Sequence, residues 1–510
     1  MARTEKQLLV EALAAVSEHA VANIVHSKNV KPKQQALLVK NGYLKRIIKG
    51  WYLFDADLSA TKAGESALWY ESIWAFVGQY LTSRFDDNYW LSAEASLDIH
   101  TANNSMPSQI VVFVKDGTES ITQLPDNMSL LVTRSKIMPD DLIEYCGVTV
   151  FSLETALAKA TPSSFRNDPV TVQVALTNSN FEKLTAALMR SKNIASAGRI
   201  IGAYNALNMR AESKKLEIIL AGVFGNIKVN DPFLVPPIIL GEGRKEAASA
   251  NRVRLLWQAM RQDVIHCFEK HEQEFNFYLR PLDETLAMIN EFYVRDAYNS
   301  LSIEGYKVTP ELIEKVSSGN WSPETLDQDN EAKDALAARG YYDAFNGVKG
   351  SITEAYSQEE LGYLIDVGIT QWYTALFKPC VTAGLISEFD LAGYRKGPVY
   401  IRGSRHVPPA SEQLMDCMTA LKECIIKEES FAVKAILGHL FMGYIHPFPD
   451  GNGRTARFLM NFLFIVGGYR WVVIKQETRA RYLETLESAS VGKDIVPFVE
   501  FILETIEARE

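Results

Sequence analysis

Residues 446–457 read HPFPDGNGRTAR, and the segments on either side fix what this stretch must be. Before it, FAVKAILGHLFMGYI (431–445) has the apolar character of a helix buried in a core. Pro447 biases His446 away from helical angles, so that helix ends there. Pro449-Asp450-Gly451-Asn452-Gly453 is a turn rich in residues that tolerate positive φ. RTARFLMNFLFIV (454–466) then begins a second apolar helix. The turn is therefore predicted at a helix N-terminus, where orphan N–H groups and the helix dipole attract an anion.

The side chains of the turn extend that reading. Gly451 and Gly453 let the backbone approach a phosphate closely. Arg454 and Arg457, one helical turn apart, add charge-assisted donors for further phosphate oxygens. Asp450 offers a single carboxylate, which suits Mg²⁺ shared with a polyphosphate better than an all-protein cage. His446 is the one group of the twelve that can accept a proton near neutral pH. Each element alone is common; their conjunction is not. The segment resembles the Fic (filamentation induced by cAMP) motif H-P-F-x-[DE]-G-N-G-R-x-x-R, matched at every fixed position.

That resemblance covers residues 247–510 and implies an all-α Fic-like domain with a β-hairpin flap. It implies transfer of AMP from Mg·ATP to a Ser, Thr or Tyr hydroxyl of a target protein. His446 would be the base, Asp450 would hold Mg²⁺, and Gly451, Asn452, Gly453, Arg454 and Arg457 would bind the ATP phosphates. GYRKGPVYIRGSRHVPP (393–409) resembles the flap that clamps a target segment as an added strand. Its arms would be Val399-Tyr400-Ile401 and His406 to Pro408, around Gly403-Ser404. Downstream, Tyr482, Leu483 and Ser490 fall where relatives often carry Tyr-Tyr and Asn at the adenine pocket, which leaves base preference open. Upstream, NSLSIEGYKV (299–308) resembles the inhibitory motif [ST]-x-x-x-E-[GN] through Ser300, Glu304 and Gly305. Glu304 would pair with Arg457 and block productive placement of the γ-phosphate. Gly305 reads as the C-cap of a helix from about Leu282, and Thr309-Pro310 as the start of the next.

The other half of the chain carries a different signal. Residues 1–55 hold nine Lys or Arg against four acids, whereas the whole chain has a net charge of -9. Three short helices, the second around Val21 to Val25 and the third from Pro32, precede a basic hairpin, YLKRIIKGWYLF (43–54). This is the pattern of a winged helix-turn-helix, with Lys31, Lys33, Lys45, Arg46 and Lys49 as candidate contacts to duplex DNA. Strands are predicted at 109–114, 128–133 and 147–152, followed by helices, the first capped by Ser152. RIIKGWYLF, LSAEASLDIH (91–100) and GVTVFSLETAL (147–157) resemble antitoxin-like regulators of abortive-infection systems. The expected organisation is a winged helix over 1–55 and a mixed α/β domain over 56–235. A linker over 236–246 and the Fic-like domain over 247–510 complete it.

Composition sets the outer limits. A length of 510 residues with 47% hydrophobic and 23% charged side chains is that of a multidomain globular chain. The five cysteines form no C-x-x-C pair, which disfavours a disulfide framework or structural zinc. Glu5, Lys6 and Glu11 interrupt any secretory core, and the most apolar run, Phe458 to Val466, is too short to span a bilayer. The expected setting is cytoplasmic, without a membrane partner. Expected partners are ATP and a hydroxyl-bearing protein, the chain itself included, with duplex DNA and a homodimer left open. Two other functions compete: a DNA-binding regulator or antitoxin–toxin fusion whose Fic domain is held inactive, and an enzyme that removes AMP through the same site.

Overall fold

A computed structural model describes residues 5–55, 67–136, 139–234, 247–271, 278–318, 329–399, 401 and 403–507. The chain divides into two compact units. The first comprises 1–248 together with 399–407, and the second comprises 249–398 and 408–510. The predicted linker and Tyr400 of the flap lie outside the described residues. Among the described residues no helix is long and apolar enough to cross a membrane.

The first unit opens with α1 (Glu5–Ser17), β1 (Ile24–His26), α2 (Pro32–Lys40), β2 (Leu44–Ile48) and β3 (Trp51–Phe54). Its sheet runs in the order β1-β3-β2, with Ile24 opposite Leu53 and Arg46 opposite Tyr52, both pairs antiparallel. The helix expected around Val21 to Val25 is instead this first strand. Ala22 and Asn23 take positive φ, which breaks a helix, and β-branched Ile24 and Val25 suit a pleated, buried edge.

Next come α3 (Ala67–Phe85), β4 (Tyr89–Leu91), α4 (Ala93–His100), β5 (Gln109–Val114), β6 (Ser120–Gln123), β7 (Ser129–Arg134), β8 (Leu142–Tyr145) and β9 (Val148–Phe151). The four-stranded sheet has the order β4-β5-β7-β6, and β5 and β7 are parallel. Ile24, Ile47, Trp51 and Leu53 share one core with Phe76, Val112, Leu130 and Val150, so packing crosses the position 55/56 boundary. The remaining helices are α5 (Leu153–Lys159), α6 (Pro162–Asn167), α7 (Pro169–Asn178), α8 (Phe181–Ser191), α9 (Ile194–Ala206) and α10 (Arg210–Phe224). Ser152 caps α5 by accepting from the Thr155 N–H. A mixed α/β region is thus present, as the strand pattern predicts.

The segment 399–407 joins this unit through backbone pairing. Met106 N–H donates to the Arg405 carbonyl at 2.9 Å and Val407 N–H to the Asn104 carbonyl at 2.8 Å. His406 is buried and bridges Ser105. Ser404 N–H closes a turn on the Ile401 carbonyl at 3.0 Å. Among the described residues the two expected arms form no ladder with each other. Val399 and Ile401 are irregular, and the second arm pairs with Asn104 to Met106.

The second unit is helical. It contains α11 (Ala248–His271), α12 (Leu282–Ile303), α13 (Pro310–Ser317), α14 (Asp329–Tyr356), α15 (Leu361–Thr382), α16 (Leu414–Lys427), α17 (Phe431–Ile445), α18 (Asn452–Val466), α19 (Arg479–Ser490) and α20 (Val496–Glu507). Helices α17 and α18 are buried along nearly their whole length, which accounts for apolar residues on every face. Trp257 of α11 stacks on Phe441 of α17, and Trp372 of α15 packs on Phe462 of α18. Helices α14 and α15 approach at Gly340, where a Cβ would lie 1.9 Å from the Leu376 carbonyl oxygen. Gly340→Ala must push these helices apart and is expected to cost about 1–3 kcal/mol. An unchanged denaturation midpoint would contradict so close an approach.

Candidate active site

The C-terminal end of α17 sets the first functional group. Its last helical N–H, that of His446, reaches the Met442 carbonyl at 3.1 Å, and His446 itself is left-handed at φ 50°, ψ 58°. Pro447 enforces that ending. The half-buried imidazole brings Nδ1 within 3.1 Å of the Gly443 carbonyl. A carbonyl can only accept, so Nδ1 carries the proton and Nε2 keeps its lone pair. Burial pulls the His446 pKa below its ordinary value, the Gly443 bond opposing it, and Arg395 lowers it further. The ring is therefore neutral at pH 7.

Arg395 was not among the residues singled out from the sequence. It is 5% exposed and donates from Nε to the His446 carbonyl at 2.8 Å and from Nη1 to the Gly397 carbonyl at 2.9 Å. Its third donor, Nη2, meets the Pro409 carbonyl. One guanidinium thus gathers three stretches of backbone around the histidine. The signal was an arginine in a glycine-rich loop, and nothing local distinguishes it from its neighbours there.

The turn is braced from inside. Phe448 N–H donates to Asn452 Oδ1 at 2.9 Å, and Asn452 Nδ2 donates back to the Phe448 carbonyl at 2.7 Å. The Asn452 side chain is therefore spent on the loop, leaving its backbone N–H to face an anion. Phe448 lies flat on Tyr373 of α15 at 3.7 Å between centroids. Gly451 takes φ 76° as the N-cap of α18, and a Cβ there would strike the Phe377 ring at 2.7 Å. The first N–H groups of α18 have no preceding helical carbonyl to bond. Asp450 accepts from the Gly451 N–H at 2.6 Å and from Arg454 at 3.3 Å. Its side chain is 65% exposed. Among the described residues no group of three or more His, Cys, Asp or Glu could hold a metal ion, so any cation here would take most of its ligands from water and substrate.

The two arginines of α18 differ. Arg454 is buried between the Tyr306 and Phe377 rings, 5.2 and 5.0 Å from their centroids. Arg457 is 4% exposed and reaches across to α12. It donates from Nε to Ser300 Oγ at 2.8 Å, and from Nη2 to Glu304 Oε1 at 2.7 Å and the Ser300 carbonyl at 3.2 Å. Burial works against its charge, but the adjacent Glu304 carboxylate outweighs burial and raises its pKa.

Glu304 ends α12, followed by Gly305 at φ 91° and a Tyr306 N–H bond to the Leu301 carbonyl at 3.1 Å. Its Oε1 would lie 2.5 Å from a Cβ on Gly453. The carboxylate therefore lies over the opening of α18, the place where an anion binds a helix N-terminus.

The adenine-pocket candidates are placed less uniformly. Tyr482 is buried, with its hydroxyl 2.8 Å from His439 Nε2, and it lies beside Arg457. Leu483 is half-buried. Ser490 donates to the Leu486 carbonyl of its own helix at 2.8 Å.

Residues 369–464 match the model of the Fic/DOC family. The match is a similarity of this segment, from within α15 to within α18, to that family. Among curated proteins, the "Protein adenylyltransferase Fic" of Culex quinquefasciatus is 28% identical over 223 residues, 42% of this chain and 41% of its own. The protein of the same name from Nematostella vectensis is 38% identical over 123 residues, 23% of this chain and 28% of its own. The chain thus spans less than half the length of these relatives. A solved structure titled "Fic-1 (aa134 - 508) from C. elegans" overlaps 66% of this chain and 95% of its own, at 21% identity and TM-score 0.38.

The His439–Tyr482 pair has a consequence for stability. Burial, aided by Arg457, pushes His439 down to about 3, whereas an unfolded histidine titrates near 6.5. Above the unfolded value the ring is neutral in both states. As pH falls below it, only the unfolded chain takes up the proton, and stability falls by up to about 1.4 kcal/mol per pH unit. Denaturant midpoints measured from pH 7 to 4.5 should fall more steeply for the wild type than for His439→Gln. Parallel slopes would refute a buried neutral histidine.

Proposed function

We propose that this chain transfers AMP from ATP to a hydroxyl side chain of a protein, and that Glu304 restrains it. The observation that carries the reading is the arrangement at the start of α18. A neutral histidine whose Nδ1 carries the proton, leaving the lone pair on Nε2, lies beside a glycine turn that opens a buried helix, and Arg454 and Arg457 follow in its first two turns. The names of the curated relatives support the same activity.

In this reading the target hydroxyl oxygen attacks the α-phosphorus, the bond to the leaving pyrophosphate breaks, and the hydroxyl proton passes to His446 Nε2. The N–H groups of Asn452, Gly453 and Arg454 and the two guanidinium groups receive the negative charge of the triphosphate. Asp450 would hold Mg²⁺, which neutralises phosphate charge when bound. Arg395 holds the histidine's backbone rather than its ring and is a positioning residue. Glu304 occupies Arg457 and the helix opening from within the chain, so ATP meets an anion already in place. Without that guanidinium the triphosphate is poorly aligned for in-line attack, on which this chemistry chiefly depends.

His446→Ala should abolish incorporation of labelled AMP while ATP binding persists. Glu304→Gly should raise incorporation by orders of magnitude, and the double variant should be silent. Labelling at the Glu304→Gly level by the double variant would remove His446 as the base, and equal labelling by wild type and Glu304→Gly would remove the restraint.

The head of the first unit supports a second, compatible reading as a winged helix that binds duplex DNA. Its element order is helix, strand, helix, hairpin, and Lys31, Lys33, Arg46 and Lys49 are exposed while Lys45 is half-buried. Replacing Arg46 and Lys49 by Ala in the full chain should weaken duplex binding at all sequences. The salt slope should flatten by about one unit per lost phosphate contact. An unaltered slope would argue against that head as the binding face.

A further inference from the structure

Arg457 meets more of α12 than Glu304. Asp296, Ser300 and Glu304 recur every four residues and so share one face of that helix. Asp296 is 3% exposed, one turn behind Ser300. It accepts a hydrogen bond from the Tyr341 hydroxyl of α14 at 2.7 Å. Tyr341 in turn packs on Phe458, the residue after Arg457, at 4.9 Å between ring centroids. The Trp471 indole N–H faces the same carboxylate outside hydrogen-bond geometry. A buried carboxylate is costly unless a positive charge compensates it. The Arg457 guanidinium acts on it in that sense.

We propose that Asp296 is a positioning residue for the Glu304–Arg457 pair. Its carboxylate, fixed by Tyr341, is a second negative charge on α12 that keeps Arg457 against Ser300 and Glu304 and away from a bound triphosphate. The proposal rests on the reading of Glu304 as a restraint and adds where the strength of that restraint is set.

The second charge is conditional on pH. Burial pushes the Asp296 carboxyl up to about 6, against the opposing pull of Tyr341 from α14, Arg457 from α18, the Trp471 indole and Arg295 on its own helix. Above that value both carboxylates hold Arg457. Below it Asp296 is neutral and Glu304 acts alone. Labelling by the wild type, taken as a ratio to Glu304→Gly at the same pH, should therefore rise as pH falls from 7.5 to 5.5. The ratio removes the part of the His446 titration that both proteins share; the extra upward pull of Glu304 on His446 in the wild type lowers the ratio at low pH and so works against the expected rise.

The test compares incorporation of labelled AMP by the full-length wild type, Glu304→Gly, Asp296→Asn and Tyr341→Phe across that pH range, with thermal unfolding alongside. Asp296→Asn should label severalfold above wild type at pH 7.5, with a ratio that no longer changes with pH. Tyr341→Phe, which keeps the charge but releases it, should give a smaller rise and retain the pH dependence. A folded Asp296→Asn that labels at the wild-type level, while Glu304→Gly is active, overturns this inference and leaves the Glu304 reading standing. If Glu304→Gly itself labels no better than wild type, the restraint falls and this inference with it. Should Asp296→Asn fail to fold, a wild-type ratio independent of pH overturns the proposal by itself.

Discussion

A guanidinium buried in a helical core cannot shed its charge, so it must be given an anion. Arg457 is in that position, and the arrangement of the second unit around it follows from the need. The C-terminal turn of α12 supplies a hydroxyl, a carbonyl and a carboxylate within 3.2 Å of its nitrogens. Gly453 has no side chain, which leaves room for that carboxylate over the helix opening. The glycine that would admit a phosphate is thus the one that admits Glu304. In the proposed reading, substrate site and restraint share one geometry because both are answers to the same positive charge.

The rest of the second unit holds this geometry rigid. Helices α17 and α18 are packed on all sides, so the turn between them has little freedom at either end. Asn452 ties the loop to itself, Phe448 stacks on Tyr373, and Arg395 anchors the backbone of His446. Sites held by elements of a packed scaffold need less ordering when a ligand arrives. In the proposed chemistry, what must move is confined to side chains on α12 and α18.

Much of this was legible because it is written locally. Pro447 and Gly451 announce a helix end and a helix start within six residues. Gly305 and Thr309 do the same for α12 and α13, and Thr309 indeed accepts from the Leu312 N–H. The pairing of Glu304 with Arg457, 153 positions apart, came only from family resemblance. Asp296, Tyr341 and Arg395 were missed because their partners are remote, and a buried acid on a polar helix looks like a surface acid until the neighbours are known. The strand at Ile24–His26 was read as helix because a three-residue edge offers no period to measure, and only its pairing with β3 gives it away. The pairing of 405–407 was not legible for a related reason: the Arg405 carbonyl and the Val407 N–H bond the backbone of Met106 and Asn104, a choice no turn signal encodes.

That last pairing makes the first unit discontinuous in sequence. A ribosome releases residues in order, so the first unit lacks one of its pieces until residue 399 and those after it have emerged, by which time 249–398 is already outside. Until then the backbone at Asn104 to Met106 lacks the bonds that Arg405 and Val407 supply, and exposed backbone groups of this kind are places where foreign strands can add. The same threading means that a gene fragment cut anywhere in 235–246 separates neither unit cleanly. One product loses the nine residues that complete it, and the other carries them with the buried face of His406 turned to water.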